Sequence, residues 1–224
     1  MILKAVLSTF ILVFIFTFMN CEIGSDVTGN NKPDTTDTST PPNAEFMKPN
    51  IYIYPVNKIE LDVSIRFPNG GSITASVPDY KGGWHIIVDS TGLINNKYRF
   101  LFYESDVPNL CQYEKGWIVN GKSLAAFFNK NLQETGFLHD EINDFIDYWI
   151  PLIDSAPSYA IYPQYSKELE KMIQIRFSKM PDNILRLSYV IKKIMNPELN
   201  IPEPTIPQFK RKGFTVTEWG VILQ

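Results

Sequence analysis

Catalytic residue types are scarce in this 224-residue sequence, which holds two histidines, His85 and His139, and two cysteines, Cys21 and Cys111. His139-Asp140-Glu141 has no second histidine at i+4, so it does not read as a zinc motif. Its acidic pair reads as the first turn of a helix, with Asp140 as the cap. A Cys–His nucleophile pair needs an electropositive, partly open thiol. The surroundings of Cys111 (Asn-Leu-Cys-Gln-Tyr) supply neither, and it reads as a small buried apolar residue. Glycine-rich phosphate loops, G-x-S-x-G elbows and H-E-x-x-H are all missing. No cofactor and no metal is therefore expected. A strong charge of either sign is lacking too: the net charge is −3. That weak negative balance argues against nucleic acid or anionic lipid as a main partner. The one basic run, Lys210-Arg211-Lys212, reads as a solvated turn.

Long apolar runs are rare, and the exception is at the start. Lys4 precedes an apolar stretch from Ala5 to Met19, broken only by Ser8, Thr9 and Thr17, that closes on Asn20-Cys21 and turns polar at once. A transmembrane helix needs about 20 apolar residues; this run is shorter and no basic stop-transfer cluster follows. The plan is that of a secretory signal peptide over residues 1–20, with an uncleaved membrane anchor as the alternative. Phe18-Met19-Asn20 is not an A-x-A cleavage site, but an apolar run closing on cysteine resembles a bacterial lipoprotein signal. That resemblance implies acylation of Cys21 and a partner in the membrane. It implies a location at the cell envelope, lipid-anchored and facing outside the cytoplasm. Two acyl chains on one thioether would suffice for stable anchoring, at about 0.8 kcal/mol per buried methylene. Cys111 would then have no disulfide partner.

Residues 21–47 are dense in Ser, Thr, Asn, Asp, Gly and Pro and read as a disordered tether. Such a chain spans roughly 25–30 Å on average. Residues 48–224 are long enough for one domain with a core. Ile59, Leu61, Val63, Ile65 and Phe67 alternate with polar residues as a half-buried strand. Pro68-Asn69-Gly70-Gly71 then predicts a hairpin into Ile73, Ala75 and Val77. WHIIVD follows, and YRFLFY (98–103) reads as a central strand buried on both faces. Two amphipathic helices are expected over about 123–151. Ser123 caps the first and Gly136 stops it; Ile142, Phe145, Ile146 and Trp149 form the stripe of the second, which Pro151 ends. Strands return in SYAIYP, MIQIRF, ILRLSYVI and FTVTEW. The fold class is α+β: a mainly antiparallel, sandwich-like β structure with an inserted helix pair.

Two short segments recur. Ile53-Tyr54-Pro55 reappears as Ile161-Tyr162-Pro163, and Ile65-Arg66-Phe67 as Ile175-Arg176-Phe177. Coincidence among β-rich tripeptides and an old duplication both fit.

The opening KPNIYIYP (48–55), FPNGG, YRFLFYE, FIDYWIPL and the close RKGFTVTEWG together resemble a widespread set of uncharacterised bacterial exported proteins. The resemblance implies no activity and no catalytic residue. It does imply that both ends of the domain belong to its structure.

Glu104 and Glu218 each close an aromatic strand. Carboxylates about 5 to 9.5 Å apart would support glycoside hydrolysis, so these two are the catalytic candidates. Aromatic residues are plentiful, with four Trp, eleven Tyr and fifteen Phe. Trp84 and Trp219 adjoin glycines at strand ends, where a ring can lie open and stack on a sugar or anchor a protein. The favoured function is a binding module for an envelope glycan or protein, and the alternative is a glycoside-type envelope hydrolase.

Overall fold

The computed structural model describes residues 43–153, 155–195 and 200–224. The signal segment, Cys21 and most of the tether lie outside the described residues. The first strand, β1 (Asn43–Tyr54), begins inside the stretch expected to be tether. Ala44 and Phe46 are buried there, because alternation sets in before Lys48.

The chain continues through β2 (Ile59–Arg66), β3 (Ser72–Val77), β4 (Trp84–Val88), β5 (Leu101–Pro108) and β6 (Trp117–Asn120). Two helices follow, α1 (Leu124–Thr135) and α2 (His139–Leu152). Then come β7 (Ser158–Tyr165), a short α3 (Ser166–Met172), β8 (Gln174–Phe177), β9 (Asn183–Ile194) and β10 (Thr215–Leu223). Seven strands form one sheet in the order β3-β5-β1-β10-β9-β7-β6, and three form a second in the order β4-β2-β8. Every pairing is antiparallel except β9 with β10. The fold is α+β and sandwich-like, as the pattern implies.

Two cores flank the large sheet. Ile53, Val190, Val216 and Ile222 meet Leu61, Val63, Trp84 and Ile175 of the small sheet. Tyr52, Leu187, Trp219 and Val221 meet Phe128, Leu132, Phe145 and Trp149 of the helix pair. β10 is therefore buried on both faces along nearly its whole length.

Several expectations need correction. Pro68-Asn69-Gly70-Gly71 does turn the chain, with Gly70 N–H donating to Phe67 O and both glycines at positive φ. It joins no hairpin, however: β2 pairs with β4 and β8, while β3 crosses to β5. β5 is buried on one face only, so YRFLFY is not a doubly buried strand. Ser123 makes no capping bond; a 3-10 turn over Gly121–Ser123 precedes α1, and Asn120 accepts from Lys122 N–H at its head. Gly136 does close α1, at φ 111. Leu138, not Asp140, stands at the N-cap of α2, its N–H donating to the Glu141 carboxylate at 2.6 Å. Arg211 is not in a solvated turn; it pairs with the fully buried Glu141.

The two Ile-Arg-Phe segments lie in one sheet, antiparallel, with Ile65 opposite Ile175. The Ile-Tyr-Pro pair behaves otherwise, since Ile53 faces the small sheet and Ile161 the helices. The two echoes do not follow one symmetry. Among the described residues no helix is long and apolar enough to cross a membrane.

Candidate functional site

β1 carries an irregularity where Pro49 brings no N–H to the ladder. Met47 pairs with Val221 and Asn50 with Trp219, so Lys48 and Pro49 stand opposite Gly220 alone. This is a β-bulge, the device that re-aims side chains beside functional sites. Lys48 adopts φ 47, in the left-handed region that favours glycine. Such strain is retained where the surroundings enforce it, often at binding sites.

The bulge turns Lys48 toward the helix side of the sheet, where its ammonium stands over three rings. The Nζ lies 4.5 Å from the Tyr148 centroid, 4.9 Å from Phe102 and 5.4 Å from Phe100. Phe100 and Phe102 come from the open face of β5 and the segment leading into it, and Tyr148 from α2. Burial holds the Lys48 ammonium below its ordinary pKa, and Asp144 and Glu104 partly offset this.

Beside it, Asn50 is 0% exposed; its amide has the Tyr52 hydroxyl near it but no hydrogen bond of standard geometry. Buried side-chain amides usually make several well-formed bonds, and this one is under-satisfied. Asp144 accepts from the Tyr52 hydroxyl at 2.8 Å and from Arg99 at 3.1 Å, and its charge also acts on Lys48. Lys48, Asn50, Phe100, Asp144, Asp147 and Tyr148 line a pocket of about 280 Å³. Asp147 and Tyr148 form its exposed rim. A larger hollow of about 720 Å³ lies between the end of α2 and the β6–β7 region. None of its lining side chains is buried and unpartnered.

The sequence candidates fall elsewhere, with one exception. Glu104 is that exception: it lies near Lys48 and interacts with its backbone N–H and its charge. Burial and the neighbouring Glu45 raise its carboxyl above the usual range, against the pull of Lys48. Glu218 is on the opposite face of the sheet, 1% exposed. It accepts from Arg186 Nε at 2.5 Å and from the Tyr103 hydroxyl at 2.6 Å. Arg186, 2% exposed, also donates to Ile173 O and to Glu170. This is a structural ion pair, and the two carboxylates do not share a cleft. Neither tryptophan lies open. Trp84 sits in the core between the sheets with its Nε1 donating to Pro78 O; Trp219 lies under α2 with its Nε1 donating to Glu141 O. Gly220 marks close packing against Pro49 and Ser188, and Gly83 belongs to the turn before β4; neither leaves a ring uncovered. Cys111 packs with its sulfur 3.9 Å from that of Met172, and burial pushes its thiol up to about 12.

The residues that sequence reasoning missed as a site are Lys48, Asn50 and Tyr148. The available signal was Lys-Pro-Asn inside a strand, where proline forces a break in the ladder. Searches of family models, of curated proteins and of solved structures each return no match to the chain.

Proposed function

We propose that this protein is an envelope lipoprotein, acylated at Cys21, whose folded domain is a glycan-binding module acting through the Lys48–Tyr148 pocket. The observation that carries the reading is the pocket itself, in which the exposed ring of Tyr148 and the rim carboxylate of Asp147 stand beside the Asn50 amide, whose one near partner, the Tyr52 hydroxyl, is met without standard geometry. An amide offers two donors and one acceptor atom, and sugar hydroxyls both donate and accept. A ligand supplying them would complete hydrogen bonding that the protein leaves partly unmade. The exposed face of Tyr148 gives a sugar ring an apolar partner, and Asp147 at the rim accepts from hydroxyls. A pocket of about 280 Å³ fits one sugar residue of a longer chain. The polar tether in the sequence supports the envelope setting, since it would hold the domain clear of the lipid while leaving it free to reorient.

The test is retention of the full-length protein, in detergent, on immobilised cell-wall glycan. Saturable retention is expected, lost in Tyr148→Ala and in Asn50→Leu while their circular dichroism is unchanged. Undiminished retention of both variants would overturn the pocket assignment. Release of soluble sugar fragments would replace binding with hydrolysis.

A further inference from the structure

We infer that this pocket is one end of a longer groove, which takes an oligosaccharide with a sugar on either side of the Arg99–Asp144 ion pair. The inference rests on the glycan reading above. A second hollow, of about 200 Å³, is lined by Tyr52, Tyr54, Thr91, Gly92, Arg99 and Asp140. The two hollows share one wall. Arg99 of the second donates to Asp144 of the first at 3.1 Å, and the Tyr52 hydroxyl donates to the same carboxylate at 2.8 Å. The Tyr52 ring also meets that of Phe100, in the first hollow, edge-on with centroids 5.3 Å apart.

Three segments pass both hollows in the same order. On β1, Tyr54 and Tyr52 line the second hollow, and Asn50 and Lys48 line the first. Alternate residues of a strand share a face, and the bulge brings Lys48 to it as well. On α2, Asp140 lines the second hollow, Asp144 stands at the shared wall and Tyr148 lines the first. These recur at every fourth residue, on one face of the helix, and span about 12 Å along its axis. Arg99 and Phe100 repeat the order on the remaining side. The groove therefore lies between β1 and α2, which run past it in opposite directions.

The chemistry repeats along its length. Each hollow has a tyrosine ring, Tyr54 or Tyr148, and a carboxylate at its edge, Asp140 or Asp147. Neither carboxylate has an ion pair or side-chain hydrogen bond among the described residues, so both are open to hydroxyls. Between them the Arg99 side chain is 56% exposed and gives one N–H to Asp144, which leaves donors for a sugar crossing the bridge. A single sugar fills one hollow; a chain long enough to cross the ion pair fills both. Joining the two contacts in one molecule makes the second of them intramolecular.

The experiment is calorimetric titration of the full-length protein in detergent with two fragments of the same cell-wall glycan, its disaccharide and its tetrasaccharide. The tetrasaccharide is expected to bind about tenfold or more tightly than the disaccharide. Asp140→Ala and Thr91→Trp, each with an unchanged melting temperature, should bring the tetrasaccharide down toward the disaccharide. Both variants should leave the disaccharide affinity as it is in wild type. Equal affinity of wild type for the two fragments would overturn the groove and leave the single-pocket glycan reading standing. A tetrasaccharide preference that both variants keep would overturn it too. Retention on immobilised glycan with no binding of the tetrasaccharide would likewise overturn the groove alone. Failure of both fragments to bind, together with no retention on glycan, would overturn both readings.

Discussion

Pro49 rests directly on Gly220. A Cβ added to Gly220 would stand 3.3 Å from the Pro49 Cγ and 2.9 Å from the Ser188 Oγ. The Lys-Pro-Asn bulge in β1 and the Glu-Trp-Gly close in β10 are thus two halves of one contact. The bulge keeps its shape because the strand opposite has no side chain there.

Gly220→Val is expected to destabilise the domain by about 1–3 kcal/mol through overpacking. Gly220→Ala should cost less, since the serine hydroxyl can rotate away. Urea unfolding would measure both, and glycan retention should fall in the same order. Equal stability of all three proteins would remove the bulge from the account.

Lys48→Gly should abolish retention without destabilising the fold. It relieves the positive φ, worth about 1–2 kcal/mol for a side-chain-bearing residue, which offsets about 0.5–1 kcal/mol of glycine's flexibility and about 0.5–1 kcal/mol of lost ammonium–ring contact. A melting temperature close to wild type, with binding lost, is the signature of a residue kept for function. A fall in melting temperature would show that Lys48 supports the fold.

Arg186 and Glu218 should behave as a unit. Removing one partner, as in Arg186→Met or Glu218→Leu, leaves a buried charge or acceptor set and is expected to cost about 3–5 kcal/mol. The double variant should be more stable than either single one, as a double-mutant cycle in urea would show. Additive losses would mean that the pair is not coupled.

His85 lies on the outer face of the small sheet with Nδ1 2.7 Å from Asp62 and Nε2 2.9 Å from Glu60. Hydrogen bonding and charge from Asp62, then Glu60, raise its pKa above the ordinary 6.5. Protonation is thus favoured in the folded state. The stabilising contribution is complete below about pH 6.5 and is lost as the pH rises through the raised folded value. The urea midpoint of wild type relative to His85→Gln should fall as the pH rises above about 6.5. A constant difference would show that the imidazole does not titrate against these acids.

Cys21→Ala should take up no palmitate analogue in cells and should partition into the soluble fraction, whereas Cys111→Ala labels like wild type. Equal labelling of Cys21→Ala would end the lipoprotein reading.

Local pattern revealed much of this fold. The stripes of α1 and α2, the stop at Gly136 and the turn at Gly70-Gly71 depend on near neighbours, and each was legible. The destination of β2 was not. Its partner β8 lies about 110 residues further on, and the turn residues before β3 are the same whether or not the flanking strands pair. The site was hidden for a related reason. Lys48, Phe102 and Tyr148 converge only because three distant segments meet on one sheet face. Trp84 and Trp219 misled because a glycine beside an aromatic marks either open space or tight packing, and only the assembled core distinguishes the two.

β10 follows every other strand of the large sheet in the chain, yet it lies in the middle of that sheet, between β1 and β9. Until it is in place, β1 and β9 have open edges, Arg186 has no Glu218, and the Lys48 bulge has nothing to lean on. A chain emerging from N- to C-terminus therefore cannot display a finished pocket early. Completion of the large sheet waits for β10, so a chain interrupted before it leaves β1 and β9 without the strand that joins them.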